Sequence, residues 1–128
     1  MKVLVVDDFA TMRKIIKNVL KQIDIETVTE AENGKQALEI LKNEKVDLII
    51  SDWIMPEMTG IEFLKACKED ENIRKIPFIM VTAEAQKSSV IEAIKSGADN
   101  YIVKPFTPEK LREAIEKARA KVVQGFGG

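Results

Sequence analysis

The stretch Val3-Leu4-Val5-Val6-Asp7-Asp8 decides the fold. Its first four residues are continuously apolar, as in a parallel strand covered on both faces. Leu48 to Ile50 and Phe78 to Val81 repeat that signature, and Thr27 to Ala31 and Tyr101 to Val103 read as weaker strands. Between these runs the apolar residues change period. Phe9, Met12, Ile15, Ile16, Val19 and Ile23 recur at helical spacing, as do Leu38 with Leu41, Ile61 with Leu64, Val90 with Ile94, and Leu111 with Ile115 and Ala118. Each set marks a helix laid against the sheet. Thr59-Gly60-Ile61-Glu62 has the form of a capping box, Thr107-Pro108 that of an N-cap followed by proline, and Gly97 stands where a helix would close. Strands alternating with crossover helices predict an α/β fold: (βα)5, a doubly wound, five-stranded, mainly parallel sheet with helices on both faces.

The 128 residues suit one domain, taken here as 1–122, with 123–128 read as a flexible tail. Twenty basic side chains against twenty-one acidic ones give a formal charge of -1, not the positive field that nucleic acid or an anionic membrane selects. Neither is expected as a partner. With no histidine and one cysteine, Cys67, the chain has no Ser-His-Asp triad, no His/Cys zinc site and no intrachain disulfide. The opening apolar run is too short for a secretory signal, and no later one approaches the roughly 20 residues of a membrane span. A cytoplasmic address is the expectation.

In an open parallel sheet functional groups gather beyond the carboxyl ends of the strands. Here those ends are polar: Asp7-Asp8, Ser51-Asp52, Thr82 and Lys104-Pro105. Any one of them alone is an ordinary loop residue or helix cap. Together they are less ordinary, because converging carboxylates repel one another and a cation is the simplest relief. An all-oxygen cluster suits a hard ion such as Mg²⁺, which binds through one or two carboxylates and leaves room for phosphate oxygens. Lys104 adds a point charge and Thr82 a hydroxyl. A carboxylate nucleophile, a metal site and two oxygen-binding groups suffice for phosphoryl transfer.

Val5-Val6-Asp7-Asp8-Phe9, Thr11-Met12-Arg13, Ser51-Asp52-Trp53, Met55-Pro56, Val81-Thr82-Ala83-Glu84-Ala85 and Tyr101-Ile102-Val103-Lys104-Pro105-Phe106-Thr107 resemble the hallmark segments of response-regulator receiver domains. The likeness is greatest to the single-domain chemotaxis receivers of the CheY type and runs, in order, from Lys2 to about Lys121. It implies the flavodoxin-like strand order 2-1-3-4-5. It further implies that Asp52 accepts phosphate from a phosphohistidine on a sensor kinase. Asp8, Asp52 and the backbone carbonyl of Ile54 would hold Mg²⁺, with Asp7 acting mainly through a bound water. Lys104, before a cis proline, and Thr82 would contact the phosphoryl oxygens.

The same resemblance makes Thr82 and Tyr101 a switch that reshapes the face of the fourth helix, fifth strand and fifth helix. That face would take in Ala85, Tyr101, Val103 and parts of 90–94 and 110–117, and an effector, for chemotaxis receivers the flagellar motor switch, would read it. Ile54, Ala83 and Glu84 would modulate the pocket. Chemotaxis relatives commonly carry a polar residue at the position of Ile54, so its bulk is expected to shield the acyl phosphate. A monomer is expected, with a phosphatase as a possible further partner. A phosphorelay intermediate or a receiver cut from a longer regulator would carry the same pocket.

Two other classes fit less well. An aspartate-nucleophile phosphohydrolase usually wants an Asp-x-Asp spacing after the first strand and a cap over the substrate, whereas the acids here are adjacent and no insertion is cap-sized. A flavodoxin-like cofactor binder would need a phosphate-cradling loop where Asp7-Asp8-Phe9 stands. Trp53 follows the acceptor closely enough to report on it by fluorescence. Cys67, Met55, Met58 and Met80 read as packing residues, and 65–75 as a solvated surface of mixed charge.

Overall fold

The computed structural model describes residues 1–53, 55, 57–83 and 87–127, with the backbone alone described at 87–90, 119 and 121–127. Strands β1 (Lys2–Val6), β2 (Thr27–Ala31), β3 (Leu48–Asp52), β4 (Phe78–Thr82) and β5 (Asn100–Val103) alternate with helices α1 (Ala10–Gln22), α2 (Gly34–Asn43), α3 (Gly60–Glu69), α4 (Lys87–Lys95) and α5 (Pro108–Gly127). All neighbouring strands are parallel and the order is β2-β1-β3-β4-β5. The chain thus reverses its direction of travel across the sheet at β1, leaving a crevice beside its carboxyl end.

Two cores explain why the central strands are apolar without alternation. Leu4, Val6, Ile49, Phe78 and Met80 face α2, α3 and α4, against Ala37, Leu41, Phe63, Leu64 and Ala93. Val3, Val5, Leu48, Ile50, Ile79 and Val81 face α1 and α5, against Ile16, Leu20, Leu111 and Ala118. β2 and β5 cover less and stay partly exposed.

The local signals hold at several boundaries. Thr59 and Glu62 form both halves of the capping box on α3. Thr107 Oγ1 accepts the Lys110 N–H at 3.2 Å to open α5. Gly97 takes φ +111°, and the next N–H returns from Ala98 to the Ala93 carbonyl, a helix close that an L side chain resists. Two expectations are corrected. Phe9 and Ile15 are exposed, at 67% and 45%, because Phe9 precedes α1 and the buried stripe runs through Arg13, Ile16, Val19 and Leu20, placing Ile15 off that face. On α4, Ala93 is buried and Ile94 is exposed. α5 runs to Gly127.

Candidate functional site

Adjacent parallel strands deliver the acids to one edge. Val6 pairs with Ser51 across β1 and β3, so Asp7, one residue past its strand, and Asp52, the last residue of β3, emerge side by side. One carboxylate oxygen from each of Asp7, Asp8 and Asp52 lies within 4.8 Å of the others. Asp7 and Asp52 are buried and Asp8 is exposed. Lys104 reaches in from beyond β5, its backbone tied by its N–H to the Thr82 carbonyl at 2.8 Å. Its ammonium donates to Asp52 Oδ1 at 3.1 Å and stands 3.6 Å from Asp7 Oδ2. The Lys104-Pro105 bond is cis.

One cation does not balance this cluster. Burial pushes the Asp52 carboxyl above its usual range; the charge and hydrogen bond of Lys104 and the Trp53 N–H oppose that, and Asp8 adds repulsion. Burial likewise raises Asp7, opposed by the Phe9 N–H and reinforced by the charge of Asp52. Asp7 Oδ2 is also the buried side-chain oxygen that, among the described residues, accepts no hydrogen bond. A buried carboxylate oxygen without a donor is costly, and an oxygen-only donor set fits a hard divalent ion. The residues present therefore fit Mg²⁺.

Comparison with known proteins agrees. Residues 3–116 match the response regulator receiver domain family. The chain belongs to the response-regulator receivers. It is 47% identical over 122 residues to the chemotaxis protein CheY of Pseudomonas aeruginosa, covering 95% of this chain and 98% of that protein. A CheY homolog of Campylobacter jejuni is 51% identical over 117 residues, 91% of this chain and 90% of that one. The solved structure of the Vibrio cholerae chemotaxis regulator CheY4 superposes with a TM-score of 0.83 at 36% identity, over 91% of this chain and 97% of that one. This is a receiver of the CheY type, a response regulator of two-component signalling in the chemotaxis class. Receivers bind Mg²⁺ through an acidic pocket, and Asp7, Asp8 and Asp52 form such a cluster here.

In this receiver Thr82 ends β4, 3% exposed, and pairs with Val103; Tyr101 pairs with Met80 and is 38% exposed. Strand alternation puts Thr82 and Tyr101 on one face of the sheet, with the ring at the surface. Ala83 is exposed beyond β4. Ile54, Glu84 and Ala85, all named in the sequence analysis, lie outside the described residues. Cys67 is 1% exposed and burial pushes its thiol up to about 12: it packs, as read. No helix among the described residues is long and apolar enough to cross a membrane.

Two residues escaped the sequence reading. A Cβ on Gly60 would stand 2.3 Å from the Asp52 carbonyl oxygen, and the Gly60 N–H donates to the Trp53 carbonyl at 2.8 Å, so the start of α3 sits directly on the backbone of Asp52 and Trp53. Arg13, buried on α1, donates to the Asp7 carbonyl and to Glu30. Its signal was available: a cation close to the N-terminus of a helix, where the macrodipole disfavours it.

Proposed function

We propose that Asp52 accepts a phosphoryl group, in an Mg²⁺-dependent reaction, from a phosphohistidine on a sensor histidine kinase. The observation that carries this reading is one ammonium, Lys104 Nζ, shared between Asp52 at 3.1 Å and Asp7 at 3.6 Å above a three-carboxylate cluster. A carboxylate oxygen of Asp52 attacks phosphorus; the P–N bond to the imidazole breaks, and its electron pair returns to the ring nitrogen. Asp8, Asp52 and the Ile54 carbonyl would hold Mg²⁺, with Asp7 acting mainly through water, and the bound ion would supply charge neutralisation. Lys104 then exchanges its carboxylate partner for a phosphoryl oxygen, and the Thr82 hydroxyl donates to another. Transfer of this kind needs positioning and neutralisation more than covalent help, so no histidine base is required.

Movement of Thr82 toward the phosphoryl group frees space for Tyr101, and the face of α4, β5 and α5 changes shape for an effector. In the chemotaxis setting that effector is the flagellar motor switch. The receiver unit is residues 1–122, working as a cytoplasmic monomer that turns over no free substrate beyond promoting its own phosphorylation and slow dephosphorylation. Ile54 shields the acyl phosphate, and Ala83 and Glu84 modulate access, including that of a phosphatase. Incubation with a small phosphodonor and Mg²⁺ should give one acid-stable, base-labile phosphate, absent from Asp52→Asn and lost on chelation. Turnover of phosphate esters instead would make the protein a hydrolase. Ile54→Asn should shorten the phosphate's lifetime; equal lifetimes would remove the shielding role.

A further inference from the structure

α1 begins without the usual devices. Its N-cap, Phe9, offers no side-chain cap, and its first turn holds no acid, so the turn that follows Asp7-Asp8 lacks both of the usual local supports. Arg13, in the next position along the helix, does that work from the side. Its guanidinium donates to the Asp7 carbonyl at 2.5 Å, and its Nε donates to Glu30 Oε1 on β2 at 3.0 Å. Lys17 holds the second oxygen of Glu30 at 3.2 Å. Asp7 is thereby fixed at three of its polar groups: its N–H reaches the Ala31 carbonyl at 3.1 Å, its carbonyl takes Arg13, and its Oδ1 takes the Phe9 N–H at 2.9 Å. The remaining oxygen, Oδ2, faces Lys104 and accepts no hydrogen bond among the described residues.

We propose that Arg13 is a positioning residue, which locks the Asp7 peptide to β2 so that the carboxylates of Asp7 and Asp8 are held open for a divalent cation. This deepens the phospho-acceptor reading and rests on it for the identity of the ion. A cation held against the Asp7 backbone would, by charge alone, weaken binding of another cation at the Asp7 side chain. Loss of the guanidinium therefore discriminates: an electrostatic bystander predicts tighter Mg²⁺ binding, and an anchor predicts weaker binding.

The test compares Mg²⁺ titrations followed by Trp53 fluorescence in the wild type, Arg13→Gln, Glu30→Gln and Val19→Ala. The last truncates a buried side chain on the same helix and controls for destabilisation. Partners that orient metal ligands typically matter by 10–100-fold, so Arg13→Gln should raise the Kd about tenfold. Glu30→Gln should shift it a few-fold in the same direction, and Val19→Ala should leave it unchanged. A metal-free readout stands beside this: exchange of the Phe9 amide, which Asp7 Oδ1 holds, should accelerate in Arg13→Gln and not in Val19→Ala. Unchanged or tighter Mg²⁺ binding in Arg13→Gln overturns the proposal. Should that variant not fold, an unchanged Kd in Glu30→Gln overturns it. A wild type that neither binds Mg²⁺ nor takes label removes the phospho-acceptor reading, while accelerated Phe9 exchange confined to Arg13→Gln would still support the anchor.

Discussion

Asp7 is held in a conformation that its own charge opposes. Desolvation pushes its carboxyl up against the partial relief of the Phe9 N–H, and Oδ2 is buried without a hydrogen bond among the described residues. Asn at this position keeps the acceptor for Phe9 and discards the charge. Asp7→Asn should therefore stabilise the metal-free protein by about 1 kcal/mol, the lower end of the cost of a buried unpaired polar group, while weakening Mg²⁺ binding. Urea denaturation with EDTA present measures the first effect; a loss of stability would show that the Lys104 ion pair outweighs desolvation. Cys67 makes a second residue-scale case. Buried at 1% exposure with its thiol pushed up to about 12, it should react with iodoacetamide only through unfolding, since the thiolate is the nucleophile. Labelling in folded protein that tracks free-thiol rates would contradict that burial.

α3 shows how an element can be half legible. Thr59 and Glu62 announce its start in the sequence, and the capping box forms as read. Gly60 between them announces nothing, yet its missing Cβ leaves room for the Asp52 carbonyl, which an alanine Cβ would meet at 2.3 Å. Thr59→Ala should cost about 1 kcal/mol of stability as a lost cap. Gly60→Ala should cost about 2–3 kcal/mol, because backbone rather than a flexible side chain must move, and it should also lower phosphate uptake, since the displaced backbone carries Asp52. Chemical denaturation of the two variants, with uptake measured alongside, checks the order; a Gly60→Ala protein as stable as Thr59→Ala would refute the close approach. The strands were readable for a simpler reason: Val3 to Val6, Leu48 to Ile50 and Phe78 to Val81 are buried on both faces, so burial alone wrote them as apolar runs. The clustering of the carboxyl-end acids with Lys104 was readable because the fold's topology gathers strand ends at that edge. Arg13 and Gly60 were not, because their roles lie in contacts between segments distant in sequence, Arg13 with Glu30 and Gly60 with Asp52. The helical period likewise placed α1 but misjudged Ile15, as a set containing both Ile15 and Ile16 does not say which flank of the helix meets the sheet.

Across the whole molecule, these charges set opposite dependences of stability on pH. Asp7 and Asp52 are raised above the 3.8 of an unperturbed Asp, so without metal the folded state binds protons more tightly than the unfolded one. Their penalty is fully present above the raised values and disappears as pH falls toward 3.8. Glu30 runs the other way. Burial raises it, but Lys17 and Arg13 together outweigh that and hold it below 4.5; its contribution, modest for a half-exposed pair, is present above 4.5 and lost as pH falls through the lowered value. The metal-free receiver should thus lose stability as pH rises through the raised aspartate values, and lose it again as pH falls through the lowered value of Glu30. Mg²⁺ should reverse the first decline. At a hundred times its Kd a ligand of the folded state adds about 2.7 kcal/mol, or roughly 10 °C in Tm for a domain of this size. That gain should shrink as pH falls, because protonated carboxyls do not ligate. Calorimetry with and without Mg²⁺ between pH 4.5 and 8 resolves both trends. A metal-free Tm that climbs steadily from pH 5 to 8, or an Mg²⁺ shift as large at pH 4.5 as at pH 7.5, would mean that the acidic cluster is not where this protein stores its metal-dependent stability.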